Sequence, residues 1–426
     1  MNKALRLLKK FIPKKLFAFF QPIYHWKLAL LGALFYRFPS RQIKVVAVTG
    51  TKGKTSTVEF LNAILETAGY KTALAGTLRF KIGDQSTPNK YKMTMPGRFF
   101  TQKFLRQAVD AKCDYAIIEI SSEAAKQYRH KFIELDALLF TNLAKEHIES
   151  HGSYEKYVAA KLKIAHALEK SSKSERIIIA NIDDKEGQKF LSIAADKKVS
   201  YSIENAKPFE LSDDGSGFAL GLEKIRTQIP GQFNILNMLA AIAYARTQNI
   251  SDETIKQALE GVREIKGRVQ KILIGSDKQD FDVIVDYAHT PDSLRALYET
   301  FANKKKICVL GNCGGGRDKW KRKEMAEIAD KYCDKIILTD EDPYDDDPRE
   351  IIDDMAKHIR KEKMEIVMDR REAIRRAIKE ANANDVILIT GKGTDPYIMR
   401  ADGLKEPWSD AKVAEGELQK VITDSR

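Results

Sequence analysis

Short runs of β-branched and aliphatic residues alternate with longer stretches of helical periodicity along most of this chain. Lys44 to Thr49 (KVVAVT) is the first such run and predicts a buried strand. Similar runs fall at Tyr115–Ile120, Ala137–Phe140, Arg176–Ala180, Val283–Val285, Lys306–Leu310, Lys335–Leu338 and Asp385–Ile389. Helices are predicted at Thr55–Ala68, closed by Gly69, and at Asn234–Thr247, Asp292–Ala302, Lys321–Tyr332 and Arg371–Glu380. Strands that alternate with helices give parallel, doubly wound α/β sheets. The alternation pauses near Gly261–Arg268 and restarts, which predicts a central α/β domain over 44–265 and a second, Rossmann-like α/β domain over 266–426.

Residues 1–43 read differently. Leu5, Leu8, Ile12, Leu16 and Phe19 recur at steps of three and four, so a helix gathers them on one face. Lys3, Arg6, Lys10 and Lys14 line another face, with a kink expected at Pro13. A second apolar stretch, Leu28 to Tyr36, has nine residues, under half of the roughly twenty that a bilayer crossing needs. Two readings of this amphipathic leader stand. One is a helix lying in the interface of an anionic membrane; the other is a pair of helices packed on the body with their Lys and Arg solvated. A cleaved signal peptide is disfavoured, because the charge-free run is short and no small-residue cleavage site follows it.

Composition sharpens the leader's distinctness. Of 426 residues, 43% are hydrophobic, enough for large cores and against disorder over most of the chain. The net charge of +12 is concentrated, since 1–43 holds nine basic residues and no Asp or Glu, leaving +3 for the remainder. A body so close to neutral argues against a nucleic-acid binder. Cys113, Cys308, Cys313 and Cys333 form no CxxC pair and no zinc-like spacing. They read as buried or incidental thiols in a reducing cytoplasm, with no disulfide expected.

The chemistry begins directly after the first strand, at Gly50-Thr51-Lys52-Gly53-Lys54-Thr55-Ser56. Glycines let a backbone curl so that its N–H groups face phosphate oxygens, and the helix that follows adds its positive end. Lys54 is placed to reach terminal phosphates, and the Thr55 hydroxyl to hold Mg²⁺. A strand ending near Glu119 sets a hard carboxylate at the sheet's carboxyl edge, where α/β proteins bind ligands.

The shortened spacing T-G-x-x-G-K-T resembles the phosphate loop of the Mur ligases, most closely the branch that adds the third residue of the peptidoglycan stem. Further matches follow in order. YAIIEISS (115–122) resembles the strand whose Glu binds Mg²⁺, here Glu119. FTNLAKEH (140–147) resembles the family's FTNLxxDH, with Asn142 and His147 retained and Glu146 replacing Asp. Ala159-Ala160-Lys161 matches the position of the family's carbamylated lysine. Asn181 and Asp183 stand in an N-x-D-D segment, and Asn234 and Asn237 in a G-x-F-N-x-x-N segment near the adenine end. Ile265 to Arg268 resembles the P-G-R turn, with Lys266 in place of proline. DYAHTPD (286–292) carries Asp286 and His289, and GNCGGGRD (311–318) carries Arg317 on a glycine-rich loop.

The resemblance implies ATP and two Mg²⁺ ions, with Thr55, Glu119, His147 and a carbamylated Lys161 as metal ligands. It implies Lys54, His147, Lys161 and Arg317 as catalytic residues. Thr94, Ser121, Ser122, Asp342, Tyr344, Gly391 and Asp395 complete the expectation as substrate residues. The implied activity is an ATP-dependent amide ligase that adds a free amino acid to a muramoyl-peptide-type carboxylate through an acyl phosphate. Three departures qualify it. Glu341-Asp342-Pro343-Tyr344 replaces Asp-Asn-Pro-Arg, whose Arg clamps a carboxylate in diaminopimelate-adding enzymes, and the run Asp345 to Asp347 that follows favours an amino group or is a solvated loop. Gly391-Lys392-Gly393-Thr394-Asp395 replaces G-K-G-H-E. Only 43 residues precede the phosphate-loop strand, where the family carries a UDP-binding domain, so the acceptor is expected to be UDP-linked or lipid-linked. Rival readings are a folylpolyglutamate- or cyanophycin-type ligase and a non-catalytic ATP-gated membrane scaffold.

Overall fold

A computed structural model describes residues 14–146, 148–275 and 279–424. The chain divides into two compact units that do not follow chain order. Met1–Gly50, Ala68–Asn142 and Val158–Ser200 form the first, and Thr51–Thr67, Leu143–Tyr157 and Tyr201–Arg426 form the second.

The first unit is built on an eight-stranded sheet: β1 (Lys44–Thr49), β2 (Thr72–Ala75), β3 (Arg79–Ile82), β4 (Gln85–Pro88), β5 (Tyr115–Glu119), β6 (Ala137–Phe140), β7 (Ile177–Asn181) and β8 (Lys197–Tyr201). The spatial order is β4-β3-β2-β5-β1-β6-β7-β8. β2, β5, β1, β6 and β7 run parallel, and their near-continuous aliphatic content follows from burial on both faces. β3 and β4 depart from the parallel expectation as an antiparallel edge. Their polar residues (QSTP in β4, all exposed) gave the sequence no strand signal. Because β1 lies between β5 and β6, the carboxyl ends of all three open on one edge.

Among its described residues the leader forms a helix over Lys14–Phe35, with Pro22 inside it, and a 3-10 turn over Pro39–Gln42. The expected kink at Pro13 and the positions Leu5, Leu8 and Ile12 lie outside the described residues. Its small residues Ala29, Gly32 and Ala33 are buried against the helix Arg98–Asp110, where Gly32 lies 3.6 Å from the Phe99 Cα. Trp26 meets Phe132 edge to face at 5.4 Å. Among the described residues, no helix is long and apolar enough to cross a membrane.

In the second unit β9 (Phe209–Ser212), β10 (Gly215–Leu220) and β11 (Glu223–Thr227) form a small antiparallel sheet that the sequence did not announce. A six-stranded sheet contains β12 (Gln270–Lys271), β13 (Asp282–Val285), β14 (Lys306–Leu310), β15 (Lys335–Leu338), β16 (Met364–Ile366) and β17 (Val386–Ile389). Its order is β12-β13-β17-β14-β15-β16, parallel except for β12. The phosphate-loop helix, Lys54–Thr67, packs on the helix Gln232–Thr247.

Cys308 and Cys333 are joined in a disulfide, which corrects the expectation of four thiols. The helix Lys321–Tyr332 runs back from the carboxyl end of β14, so its own end returns Cys333 to Cys308, with Cα atoms 6.2 Å apart. Cys113 and Cys313 are free.

Beneath the six-stranded sheet the buried guanidinium of Arg370 pairs with Asp410 through two bonds of 2.8 Å. It also donates to the carbonyls of Asp340 and Thr390, and Trp408 Nε1 donates to Asp410 at 2.7 Å. Removing one member leaves the other charge buried without its counterion. Arg370→Met is therefore expected to cost about 3–5 kcal/mol in urea unfolding. Arg370→Met combined with Asp410→Leu is expected to recover part of that loss.

Candidate functional site

In the first unit, the end of β1 is closely packed. A Cβ on Gly50 (φ +155°) would sit 1.9 Å from the Thr141 hydroxyl and 3.1 Å from the backbone of Asn142. Lys161, 1% exposed, donates from Nζ to the Gly50 carbonyl at 2.6 Å. Asn181 reaches across from β7, donating to Thr141 O at 2.9 Å and accepting from Asp183 N at 3.0 Å. Thus Asn142 and Lys161 meet Gly50 at the start of the loop, while Asn181 ties down its neighbouring strand end and Asp183 is exposed.

Glu119 closes β5 and is 1% exposed. Its carboxylate accepts from Thr77 N at 2.8 Å and Thr77 Oγ1 at 3.0 Å, and Thr77 shares a 2.9 Å hydrogen bond with Thr94. Gly76 makes room, since a Cβ there would lie 2.3 Å from Glu119 Oε1. A hard carboxylate held by neutral N–H and O–H groups suits Mg²⁺. Ser121 caps a short helix through the Ala124 N–H, and Ser122 is buried behind it. A small recess is lined by Glu119, Thr94, Met95, Phe80, Phe100 and Phe104.

Two residues that the sequence gave no reason to single out flank the Thr94 segment. Arg129 donates to the Met95 carbonyl and to Gln127 Oε1, the latter at 2.8 Å, and Arg98 donates to the Gln127 carbonyl. Neither forms an ion pair among the described residues, and both Nε atoms are buried without a partner. Burial, with Arg129 adding to it, brings Arg98 down to about 10, and burial lowers Arg129 as well. Two guanidiniums crowded against carbonyls have the chemistry to take an anion.

In the second unit Lys54 Nζ lies 2.9 Å from the Thr51 carbonyl, and the Thr51 hydroxyl meets the buried Tyr157 phenol at 2.9 Å and the Ala144 N–H at 3.0 Å. Burial lowers the Lys52 pKa, against the pull of Asp292, whose carboxylate it meets at 3.4 Å. Gly53 (φ +80°) is closed from behind, since a Cβ would stand 2.1 Å from Asn237 Oδ1. Asn237 donates to Asn234 at 3.2 Å, and Asn234 to Pro230 O at 2.8 Å. Both asparagines are buried, Asn237 against the back of the phosphate loop and Asn234 behind it. Ser56 is buried in the helix behind Thr55, whose hydroxyl receives Arg268 Nη2 at 3.2 Å.

The four remaining motifs each follow the carboxyl end of a parallel strand: 286–292 after β13, 311–318 after β14, 339–344 after β15 and 391–395 after β17. They therefore share one edge of the six-stranded sheet. Asp286 is buried and accepts from Val269 N at 2.7 Å and Ala288 N at 2.6 Å, so it shapes the Arg268 turn. Thr290 caps the next helix with Pro291 in its first turn, which explains the TPD portion of DYAHTPD. His289 bonds Tyr287 O at 2.7 Å and Glu146 at 3.1 Å. Arg268 stacks on Tyr287 at 4.4 Å, and Arg317 hydrogen-bonds the Tyr344 phenol. Asp318 accepts from the Ile148 and Glu149 N–H groups. The adjoining His147 lies outside the described residues.

The acidic run after Pro343 braces the loops around it. Asp345 accepts from Asp402 N, Asp346 from Gly315 N, and Asp347 caps a helix at Arg349 N, each at 2.8–3.1 Å. Short acids in turns satisfy backbone donors in this way. Asp342 is likewise engaged, by the buried Lys392 at 2.9 Å and Met399 N at 2.8 Å. Glu341 accepts the Cys313 thiol at 2.9 Å beside Gly391, and its Oε2 is buried without a partner. Asp395 lies 3.9 Å from Lys392 and is the main influence holding the Tyr287 phenol protonated.

Residues 48–245 match the Mur ligase middle domain, and residues 267–393 match the Mur ligase glutamate ligase domain. The UDP-N-acetylmuramoyl-L-alanyl-D-glutamate–2,6-diaminopimelate ligase of Syntrophomonas wolfei is 39% identical over 403 residues, covering 91% of this chain and 80% of that one. Its counterpart from Bacillus velezensis is 37% identical over 383 residues, covering 87% and 77%. A solved structure of a ligase with the same description superposes with a TM-score of 0.60 at 25% identity, covering 89% of this chain and 78% of that one. Folylpolyglutamate synthase of Mycobacterium tuberculosis bound to ADP shares the fold, with a TM-score of 0.68 at 15% identity over 85% of this chain and 91% of that one.

Proposed function

The chain belongs to the Mur ligase family of ATP-dependent, amide-forming ligases, and we propose that it joins a free amine to the carboxylate of a muramoyl-peptide-type acceptor. The observation that carries this reading is the phosphate loop, in which Gly53 admits no side chain and Lys54 and Thr55 follow it at the start of a helix. Peptidoglycan precursor synthesis is the setting.

An amide forms from a carboxylate only if its oxygen becomes a leaving group. The ATP γ-phosphoryl group passes to the acceptor carboxylate, giving an acyl phosphate, and the amine attacks its carbonyl carbon. The tetrahedral intermediate then expels phosphate. Lys54 exchanges the Thr51 carbonyl for phosphate oxygens, and Arg268 and Arg317 supply further positive charge against the negative charge on the transferred group and its leaving oxygen. Mg²⁺ would add neutralising charge, for which Thr55 offers a hydroxyl and Glu119 a carboxylate oxygen. Arg98 and Arg129, beside Thr94, take the acceptor's anionic group. The amine lacks a second carboxylate, lysine being one such amine, since Tyr344 stands where a clamping Arg would be. Lys161 acts as a carbamate during turnover.

Lys54→Ala is expected to cut ADP release at least about a thousandfold, measured with UDP-linked and lipid-linked muropeptides and a panel of amino acids. Turnover near wild type refutes the loop assignment, and a preference for diaminopimelate over lysine refutes the amine assignment. Arg129→Ala is expected to raise the acceptor KM by about tenfold or more while leaving the ATP KM unchanged. Lys161→Ala should be inactive and regain turnover with added short carboxylic acids. A lysine needed only as the amine that binds Gly50 would show no such rescue.

A further inference from the structure

The leader helix carries a face that the first unit does not cover. Opposite the packed Ala29, Gly32 and Ala33, the exposed side chains Phe20, Ile23, Tyr24, Leu31, Leu34 and Phe35 recur at steps of three, four and seven, forming one stripe along the helix. Phe35 is 72% exposed and Tyr24 58%. Large apolar side chains left in water along one helix face mark a docking surface.

Charge identifies the occupant. Lys27 lies within the stripe and Arg37 just past its end, both exposed, and the first 43 residues contain nine Lys or Arg and no acid. A second copy seated on this face would bring Lys27 towards another basic, acid-free surface, so self-association is opposed. A protein core would bury Lys27 without a counterion. A bilayer surface suits every element: aliphatic and aromatic groups enter the acyl boundary, Tyr24 has the amphipathic ring favoured at that depth, and Lys27 keeps its ammonium at the headgroups while its stem stays apolar.

We infer that the helix Lys14–Phe35 docks the enzyme on an anionic membrane surface, lying in the headgroup plane with the Phe20–Phe35 stripe inward. Each Lys or Arg near such a surface strengthens binding by roughly fivefold at low ionic strength. This goes beyond the ligase reading and does not depend on it.

The test is co-sedimentation of the full chain with phosphatidylcholine vesicles containing about one third phosphatidylglycerol, or none, at low and high salt. Binding is expected to anionic vesicles, to weaken with salt, and to fall by roughly tenfold or more in a Leu31→Glu/Leu34→Glu/Phe35→Glu variant. All three side chains are solvent-facing, so the variant's melting temperature and turnover on a soluble acceptor should match wild type. Equal partition of wild type and variant overturns the inference, because contact would then lie elsewhere. No partition by wild type overturns it too, as does a wild-type dimer that the substitutions dissociate without any vesicle binding.

Discussion

The close approach of backbone to backbone at the end of β1 constrains the rest of the site. Gly50 fits only because it has no side chain, and the space beside it is filled by Thr141 and the Asn142 backbone. Lys161 completes the arrangement by bonding the Gly50 carbonyl from below. A phosphate loop works by presenting N–H groups outward, so its carbonyls must find partners on the inner side. A buried lysine, normally costly, becomes reasonable here because it satisfies one of them. Asn181 extends the brace by pinning the neighbouring strand end.

The second unit applies the same economy with acids. Asp286, Asp318, Asp345, Asp346 and Asp347 each accept backbone N–H groups at the start of a turn or helix. Loops at the carboxyl ends of parallel strands carry chemistry yet have few backbone partners of their own, and carboxylates hold them in shape. Asp342 with Lys392, and Arg370 with Asp410, anchor the deeper layer.

Buried parallel strands were readable because burial on both faces leaves unbroken aliphatic runs, and β1, β6, β14 and β15 have the predicted ends. The β9–β11 sheet was not readable, because β9 is only four residues long and Glu223, Lys224 and Arg226 leave β11 with Ile225 as its one aliphatic residue. The phosphate loop and Glu119 announced themselves through residue type and position. Arg98 and Arg129 did not, since an isolated arginine in sequence looks solvated until the fold turns it towards carbonyls. The Asp345–Asp347 run stayed open to two readings for the converse reason: a charge cluster says nothing about which backbone donors have claimed it. The Cys308–Cys333 pair followed only from the return path of one helix.

The contact between Gly53 and Asn237 has an evolutionary corollary. A methyl group at position 53 would occupy the place of the Asn237 carbonyl oxygen, so it can enter only if residue 237 becomes shorter. Shortening that residue removes the hydrogen bond to Asn234 and opens a void behind the loop. Substitutions at either position are therefore conditional on the other. Although 184 positions separate them in the chain, the pair should drift together through descent or stay fixed.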